Sequence, residues 1–460
     1  MTQHTLRTES LFQLTWPIYL QNATHSFVVL VDMWFFAHLA DRIAGTVGSV
    51  IPIIWVGAFV IPVFAGTGVS VASQYMGARQ FHKVVPTYMT NLCCTATMGA
   101  LFALSIWLFA EEIGVWMGLA PELQAIAATY LGGMSVYFVF MGVLVAYNAV
   151  LSSRGMTQWL MYNSFVVAAV NLSLDSLFVL GFGWGMRGVI TASCISVAAA
   201  LLLSMRWVHL RLGVRFHLKG AIRDMLGVVR PMFRIGLSNA LEPFSYSVQQ
   251  IILSTMIISF GVTAMAAHSY AGRAQMFQIT FSVALALGSQ ILMGHWMGAR
   301  RFTDVDRLFW KTIRWTTCVA FIYAILAWVF GAWVIRIFTD DPAIIRLGRS
   351  LLLVAVFYEP ARAVNIVGGF GLKTVGDARF PLIVGMTFIW GILPVVFAID
   401  RFHPLSLVGL WMCFAADEII RAFINLARWR SGKWRAMGIT AADPHADPAT
   451  IEPLTGEARA

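Results

Sequence analysis

Asp32 stands inside the run FVVLVDMWFF with no basic residue within a helical turn. An ionised side chain at mid-bilayer costs about 2.5 to 3.5 kcal/mol on insertion scales, so such a group needs a partner, an aqueous cavity or a function. Asn171 and Asp175, in VNLSLDSLF, are four residues apart and therefore share one helix face. Ser193, within TASCIS, offers a hydroxyl. Two carboxylates facing one cavity cannot both ionise cheaply, so the pair can hold a proton near neutral pH. The same oxygens suit a hard monovalent cation. Asp32, Asn171, Asp175 and Ser193 are thus the candidate ion-coupling group, with Asp32, Asn171 and Asp175 as candidate Na+ ligands. The competing reading is that the two acids only tie helices together through hydrogen bonds.

The second half of the chain carries a different polar set. Glu242 and Tyr246 share a face, as do Glu359, Arg362 and Asn365. Glu359 and Arg362, three apart, are placed to neutralise each other. Glu242 is suited to a cationic substrate or a proton unless Arg273 pairs with it. Glu242, Tyr246, Arg273, Glu359, Arg362 and Tyr147 form the candidate substrate set. Aromatic faces from Trp16, Trp34, Phe35, Phe36, Tyr137, Phe138, Phe140 and Tyr147 are suited to flat organic cations. Asp417, Glu418 and Arg421 are expected to pair among themselves, and His25 and His268 to be ordinary core groups.

These residues lie in a chain that is almost wholly apolar. Of 460 residues 59% are hydrophobic and 12% charged, with mean hydropathy +0.74, whereas soluble globular chains carry about 25% charged residues. A soluble multidomain enzyme is excluded. A crossing needs about 20 apolar residues at about 1.5 Å each. Twelve such spans can be drawn, at 11–39, 47–72, 89–110, 126–150, 160–184 and 186–207, then 232–260, 265–294, 312–336, 345–371, 380–399 and 405–427.

The net charge of +10 raises the question of nucleic acid. The basic residues, however, sit in loops, mostly on the side of the amino terminus, which predicts both termini in the cytoplasm. No nucleic-acid partner is expected. The stretch with Arg206, Arg211, Arg215, Lys219, Arg223, Arg230 and Arg234 against only Asp224 is the natural linker. Lobes at 1–208 and 232–430, a linker at 209–231 and a disordered tail at 437–460 follow. The polar segment 1–10 leads into a helix expected to be retained. Five cysteines fall in apolar stretches without CxxC, so no disulfide framework or zinc site follows.

An internal repeat organises the spans. Met76-Gly77-Ala78-Arg79-Gln80-Phe81 recurs as Met297-Gly298-Ala299-Arg300-Arg301-Phe302, a shift of 221 residues. The same shift pairs Phe12 with Phe233, Pro121 with Pro342, Gly155 with Gly376 and Gly188 with Gly409. Two duplicated six-helix bundles follow, and an even number of crossings makes them parallel repeats, as in many secondary transporters. Asp32 maps onto Leu253 and Asp175 onto Val396, so the amino-half cluster has no counterpart. Pro17, Pro52, Pro62, Pro243, Pro360, Pro381 and Pro394 are placed to bend spans. No GxxxxGK[ST], HExxH or GxSxG occurs and no large loop exists, so neither ATP-driven pumping nor an enzyme activity is expected.

The segment Gln74 to Arg79 and its copy through Arg300, with Ala266-Ala267-His268, Arg154-Gly155, and Asn171 with Asp175 ahead of the turn Gly181 to Gly188, resembles the multidrug and toxic compound extrusion (MATE) family over about residues 10–430. The resemblance implies an all-α membrane protein with twelve helices in two V-shaped lobes, exporting organic cations or other amphipathic compounds against H+ or Na+. It implies an amino-lobe coupling site matched by Asp32, Asn171 and Asp175, with Ser193 nearest to the usual sixth-helix hydroxyl. The carboxy-lobe acids of its NorM-like branch fall on Tyr246 and Arg362, with Glu242 and Glu359 a turn away, so the amino-lobe arrangement fits better. The expected setting is a bacterial inner membrane, with the lipid bilayer and a small molecule as partners, a monomer and no cofactor. A related lipid-linked oligosaccharide flippase is the alternative, and a membrane-embedded enzyme is the reading from another class.

Overall fold

In hydrocarbon every backbone N–H and C=O must be satisfied within the chain, which leaves the helix as the form for these apolar runs. The computed structural model describes residues 11–214, 216 and 221–438. The first half comprises α1 (Leu11–Leu39), α2 (Asp41–Gly77), α3 (Phe81–Leu108), the short α4 (Ala110–Trp116), α5 (Pro121–Ser153), α6 (Thr157–Asp175) and α7 (Met186–Arg206). The second comprises α8 (Ala221–Ser259), α9 (Val262–Gly298), α10 (Phe302–Val329), the short α11 (Gly331–Arg336), α12 (Pro342–Thr374), α13 (Arg379–Phe402) and α14 (Leu407–Arg430). The twelve long helices are the spans. Among the described residues nine of them cross by length and apolar composition alone, while α1, α8 and α14 complete the two bundles.

The repeat is written into the helix ends. A shift of 221 residues carries α2 onto α9, α3 onto α10 and α5 onto α12 end for end. The helices overrun the apolar spans, because the backbone ladder continues past the hydrocarbon. Thus the span at 89–110 is a helix from Phe81, and α8 starts at Ala221, inside the segment expected as linker. The span at 312–336 is two helices, since α10 ends at Val329 and α11 restarts at Gly331. Pro17, Pro52, Pro62, Pro243, Pro360 and Pro394 are all accommodated within long helices, and Pro381 lies in the first turn of α13. Arg215 and Lys219, the segment 1–10 and the tail from 439 lie outside the described residues. Met437 and Gly438, at the head of the expected tail, pack on Gly376 and Met297.

The core is divided by depth. Toward the face without the linker, one cluster is built from Phe35, Val50, Ile61, Leu131, Phe138 and Val189, all of the first lobe. Its counterpart uses Leu253, Ala267, Leu351, Leu393 and Leu410, all of the second. Toward the linker face the clusters cross over. Leu11, Leu14 and Val69 join Leu292, Met297 and Phe309, and Val71, Tyr75 and Tyr88 join Val228, Met232, Ile235 and Ala378. The described lobes are therefore welded at the linker face and packed separately at the far face.

That weld is pseudo-symmetric. Gln74 Nε2 donates to the Thr374 carbonyl at 2.5 Å, and His295 Nε2 meets the Ser153 carbonyl at 2.8 Å. Gln74 and His295 are related by the 221 shift, and so are Ser153 and Thr374. Beside them α2 and α9 cross in backbone contact. A Cβ on Gly77 would lie 1.9 Å from the His295 carbonyl oxygen, and one on Gly298 would lie 1.9 Å from that of Gln74. The glycines of the repeated motif are required by this crossing. Gln290 Nε2 adds contacts to the Gly66 carbonyl at 3.0 Å and the Ser70 hydroxyl at 2.5 Å, and Asn239 Nδ2 reaches Thr67 Oγ1 at 3.1 Å.

Candidate ion and substrate site

Asp32 lies in the far half of α1, Asn171 and Asp175 at the end of α6, and Ser193 in the first half of α7. Contacts of α1 with α6 and α7 bring all four together. Ser193 Oγ donates to Asp32 Oδ2 at 3.2 Å and accepts from Asn171 Nδ2 at 3.4 Å. Asp175 is close enough to Asp32 for the charge on either to act on the other. Asn171 and Asp175 are fully buried, Ser193 nearly so, and Asp32 is partly open. Below Asp175 the α-helix gives way to a π-helical turn at Ser176–Gly181, a local irregularity frequent at functional positions.

The polar bookkeeping of this cluster does not close. Asp32 Oδ1, both oxygens of Asp175 and Asn171 Oδ1 are buried without a hydrogen-bond donor. Neither carboxylate takes part in an ion pair among the described residues. Buried acceptors are normally satisfied, and a buried ionised carboxylate without a counter-charge is costly. Buried acceptors gathered in one cluster can receive a proton shared between the acids or a small hard cation. Among the described residues no group of three His, Cys, Asp or Glu side chains offers a transition-metal site. Tyr130 and Tyr137 on α5 lie within electrostatic reach of Asp32. From the sequence Tyr137 is legible only as an aromatic face, and Tyr130 carries no signal of its own.

The second lobe is polar in a different way. Arg362 Nη2 donates to Glu359 Oε1 at 2.6 Å, to Gln275 Oε1 at 3.0 Å and to the Tyr358 hydroxyl, and Tyr358 in turn donates to Gln275 at 2.7 Å. Arg421 binds Asp417 at 2.6 Å and Glu418 at 3.0 Å. Asn365 Nδ2 holds Glu418 Oε2 at 2.6 Å and itself accepts from Asn425 at 3.1 Å. Lys373 Nζ pairs with Glu242 at 2.6 Å. Each of these four acids has a cation. Tyr358 is the 221-shifted image of Tyr137, so the two lobes hang unlike polar clusters on equivalent tyrosines.

The remaining candidates fall in different places. Tyr246 is exposed on α8 within electrostatic reach of Arg362, Glu359, Glu418 and Arg421. Arg273 is exposed in the far half of α9 and, among the described residues, forms no ion pair, so Glu242 is paired by Lys373 instead. Tyr147 is buried near the linker face, its hydroxyl 2.9 Å from His209 Nε2. That position separates it from both polar clusters. His268 accepts from Trp411 Nε1 at 3.2 Å, while His25 is exposed on α1. The pairs Glu359–Arg362 and Asp417–Arg421 were legible from their three- and four-residue spacing. Lys373 and Gln275, distant in sequence from their partners, carried no local signal.

Comparison with known proteins agrees with this architecture. The family model described as MatE matches residues 17–177 and again residues 238–398, the second match starting 221 residues after the first. An uncharacterized transporter, YisQ of Bacillus subtilis, is 27% identical over 94% of this chain and 96% of its own length. A probable multidrug resistance protein, NorM of Thermotoga maritima, is 23% identical over 94% of each chain. Among solved structures, the Vibrio cholerae MATE transporter VcmN in the bent form superposes with TM-score 0.79 at 19% identity, covering 93% of this chain and 97% of that one. A MATE protein in the straight conformation gives TM-score 0.83 at 18% identity over 93% and 96%. Two matched halves, one helical repeat and a shared fold make the chain a member of the MatE family of multi-pass membrane transporters, and not an enzyme.

Proposed function

We propose that the protein is an antiporter that exports organic cations or other amphipathic small molecules in exchange for H+ or Na+, with Asp32 as the ion carrier. Asp175 shares the ion or raises the affinity of Asp32 for it, and Asn171 and Ser193 orient the pair. One observation carries this reading: four carboxylate and amide oxygens of one cluster are buried with neither donor nor cation, while the acids of the second lobe are matched by Arg362, Arg421 and Lys373. A cluster of two carboxylates with no cation is a place where a transported ion can come and go. The name of the Thermotoga relative, a probable multidrug resistance protein, supports drug-like substrates.

With the linker and both termini in the cytoplasm of a bacterial inner membrane, the weld at the linker face corresponds to a state closed to the cytoplasm. Loading the ion shifts α1, which carries Asp32 and packs on α9 of the other lobe, and so couples ion binding to lobe tilt. A lipid-linked oligosaccharide flippase would call for several free cationic side chains along the cavity, whereas Arg362 and Arg421 are both occupied by carboxylates and only Arg273 of the three is unpaired among the described residues. The test is counterflow of a fluorescent cation in proteoliposomes, with and without Na+ at fixed pH. Asp32→Asn is expected to abolish coupled efflux while the protein still inserts and folds, and transport at the wild-type rate would reject the assignment.

A further inference from the structure

The outer flank of α10 carries a feature unrelated to the ion cluster. α10 packs on α9 and α12 of its own lobe, and its opposite face is exposed at Lys311, Arg314, Trp315 and Cys318. These four side chains line one groove of about 400 Å³. Lys311 and Arg314 form no ion pair among the described residues. The nearby acids are engaged, Asp304 by Arg301 and Arg307 and Asp306 by Trp429. A third cation, Arg430, stacks on Trp310 at 5.2 Å, and Arg314 Nε reaches the Trp310 carbonyl at 3.3 Å. Asp306 keeps its charge, since an indole N–H is neutral, so Lys311, Arg314 and Arg430 leave this flank net positive.

Depth and asymmetry say what would neutralise it. Counting from Phe302 at about 1.5 Å per residue, Lys311 and Arg314 stand about 13 to 18 Å from the linker end of α10. Beyond them the exposed face is apolar through Ile322, Leu326 and Phe330. The cations thus sit at the headgroup boundary of the leaflet on the linker side, with the Trp315 indole beside them, as interfacial tryptophans lie. A general bias toward basic residues on that side would affect both lobes alike. In α3, the repeat of α10, the equivalent positions are Thr90, Cys93 and Cys94, without charge. The patch belongs to the second lobe alone.

We propose that this flank of α10 binds the headgroup of an anionic phospholipid, the phosphodiester between Lys311 and Arg314 and an acyl chain running over Trp315 and Cys318. Basic pockets on the cytoplasmic side of membrane bundles recognise anionic headgroups in this manner. Such a lipid would anchor the second lobe at a fixed depth while the first, lacking the patch, tilts against it.

The experiment uses the full chain in a neutral detergent, with dioleoylphosphatidylglycerol or dioleoylphosphatidylcholine added. Phosphatidylglycerol is expected to raise the melting temperature by about 2 °C or more over phosphatidylcholine. K311Q/R314Q loses that increment, whereas K311R/R314K keeps it. R206Q/R211Q, which removes two cations from the linker side of the first lobe, also keeps it. No increment in the wild type, an increment intact in K311Q/R314Q, or an equal loss in R206Q/R211Q overturns the proposal. So does an equal shift with inorganic phosphate, which would make the ligand a free anion. Native mass spectrometry of the single variants K311Q and R314Q covers a failure of the double variant to fold. Retention of as many phosphatidylglycerol molecules as the wild type would equally overturn it.

Discussion

Replacing Gly298 with alanine is expected to loosen the closure of the linker face. The new Cβ would sit 1.9 Å from the Gln74 carbonyl oxygen, where ordinary contact begins near 3.4 Å, so α2 and α9 must part by about 1.5 Å at their crossing. Both partners at that point are helical backbone and cannot step aside as a flexible side chain would. Overpacking of this kind costs about 1 to 3 kcal/mol, which corresponds to a shift of about 5- to 150-fold between two conformations. The separation also stretches the bonds from Gln74 to Thr374 and from His295 to Ser153. Gly77→Ala, its repeat image, is expected to act alike, since its Cβ would meet the His295 carbonyl at the same distance. The assay is a spin-label distance measurement between His82→Cys and Arg301→Cys, both exposed at the linker face, in a background freed of native cysteines. A longer-distance population should appear in either variant and be absent from Gly66→Ala, where an added Cβ meets nothing within 4 Å. Superimposable distributions for Gly298→Ala and wild type would show that the crossing relaxes locally and that the weld does not set the closed state.

Other outcomes follow from the same geometry. In the proposed coupling site Asp175→Asn removes one of the two carboxylates. A charge about 4 Å from a cation is worth about 4 kcal/mol at an effective dielectric of 20, so the ion concentration for half-maximal counterflow should rise at least about tenfold; an unchanged value would remove Asp175 from the site. Lys373→Gln strands the partly exposed Glu242 and should cost about 1 to 2 kcal/mol in thermal stability, less than a fully buried pair. Glu242→Gln added to it should restore most of the loss, and additive damage would argue against a pair. Arg421→Leu leaves Asp417 and Glu418 without their cation and should cost about 3 to 5 kcal/mol, read as poor folding on size-exclusion chromatography. Tyr147→Phe removes the bond to His209 and should lower stability by about 1 kcal/mol with the KM for substrate unchanged; a raised KM would return Tyr147 to the substrate set.

Much of the fold was legible because its causes are local. Apolar run length sets the number of spans, and the 221-residue shift of Met76-Gly77-Ala78-Arg79 reappears as coincident ends of α2 with α9 and α5 with α12. Asn171 and Asp175 were readable as one face, and Glu359 with Arg362 as a pair, since both spacings are a single helical turn. Span edges were less legible, because helices overrun hydrocarbon into the headgroup region where hydropathy no longer marks them.

By itself the amino-acid order determined that the chain crosses a bilayer, that it does so in two copies of one six-helix unit, and that carboxylates stand where lipid should forbid them. Those conclusions depend on transfer energies and backbone satisfaction, which act residue by residue. Only the tertiary structure decided that Ser193 bridges Asn171 to Asp32, that Lys373 answers Glu242 across 131 residues, and that Gln74 and His295 tie the lobes together in mirrored fashion. Such pairings depend on how each helix is rotated and tilted against its neighbours, and no local pattern in a sequence records that angle.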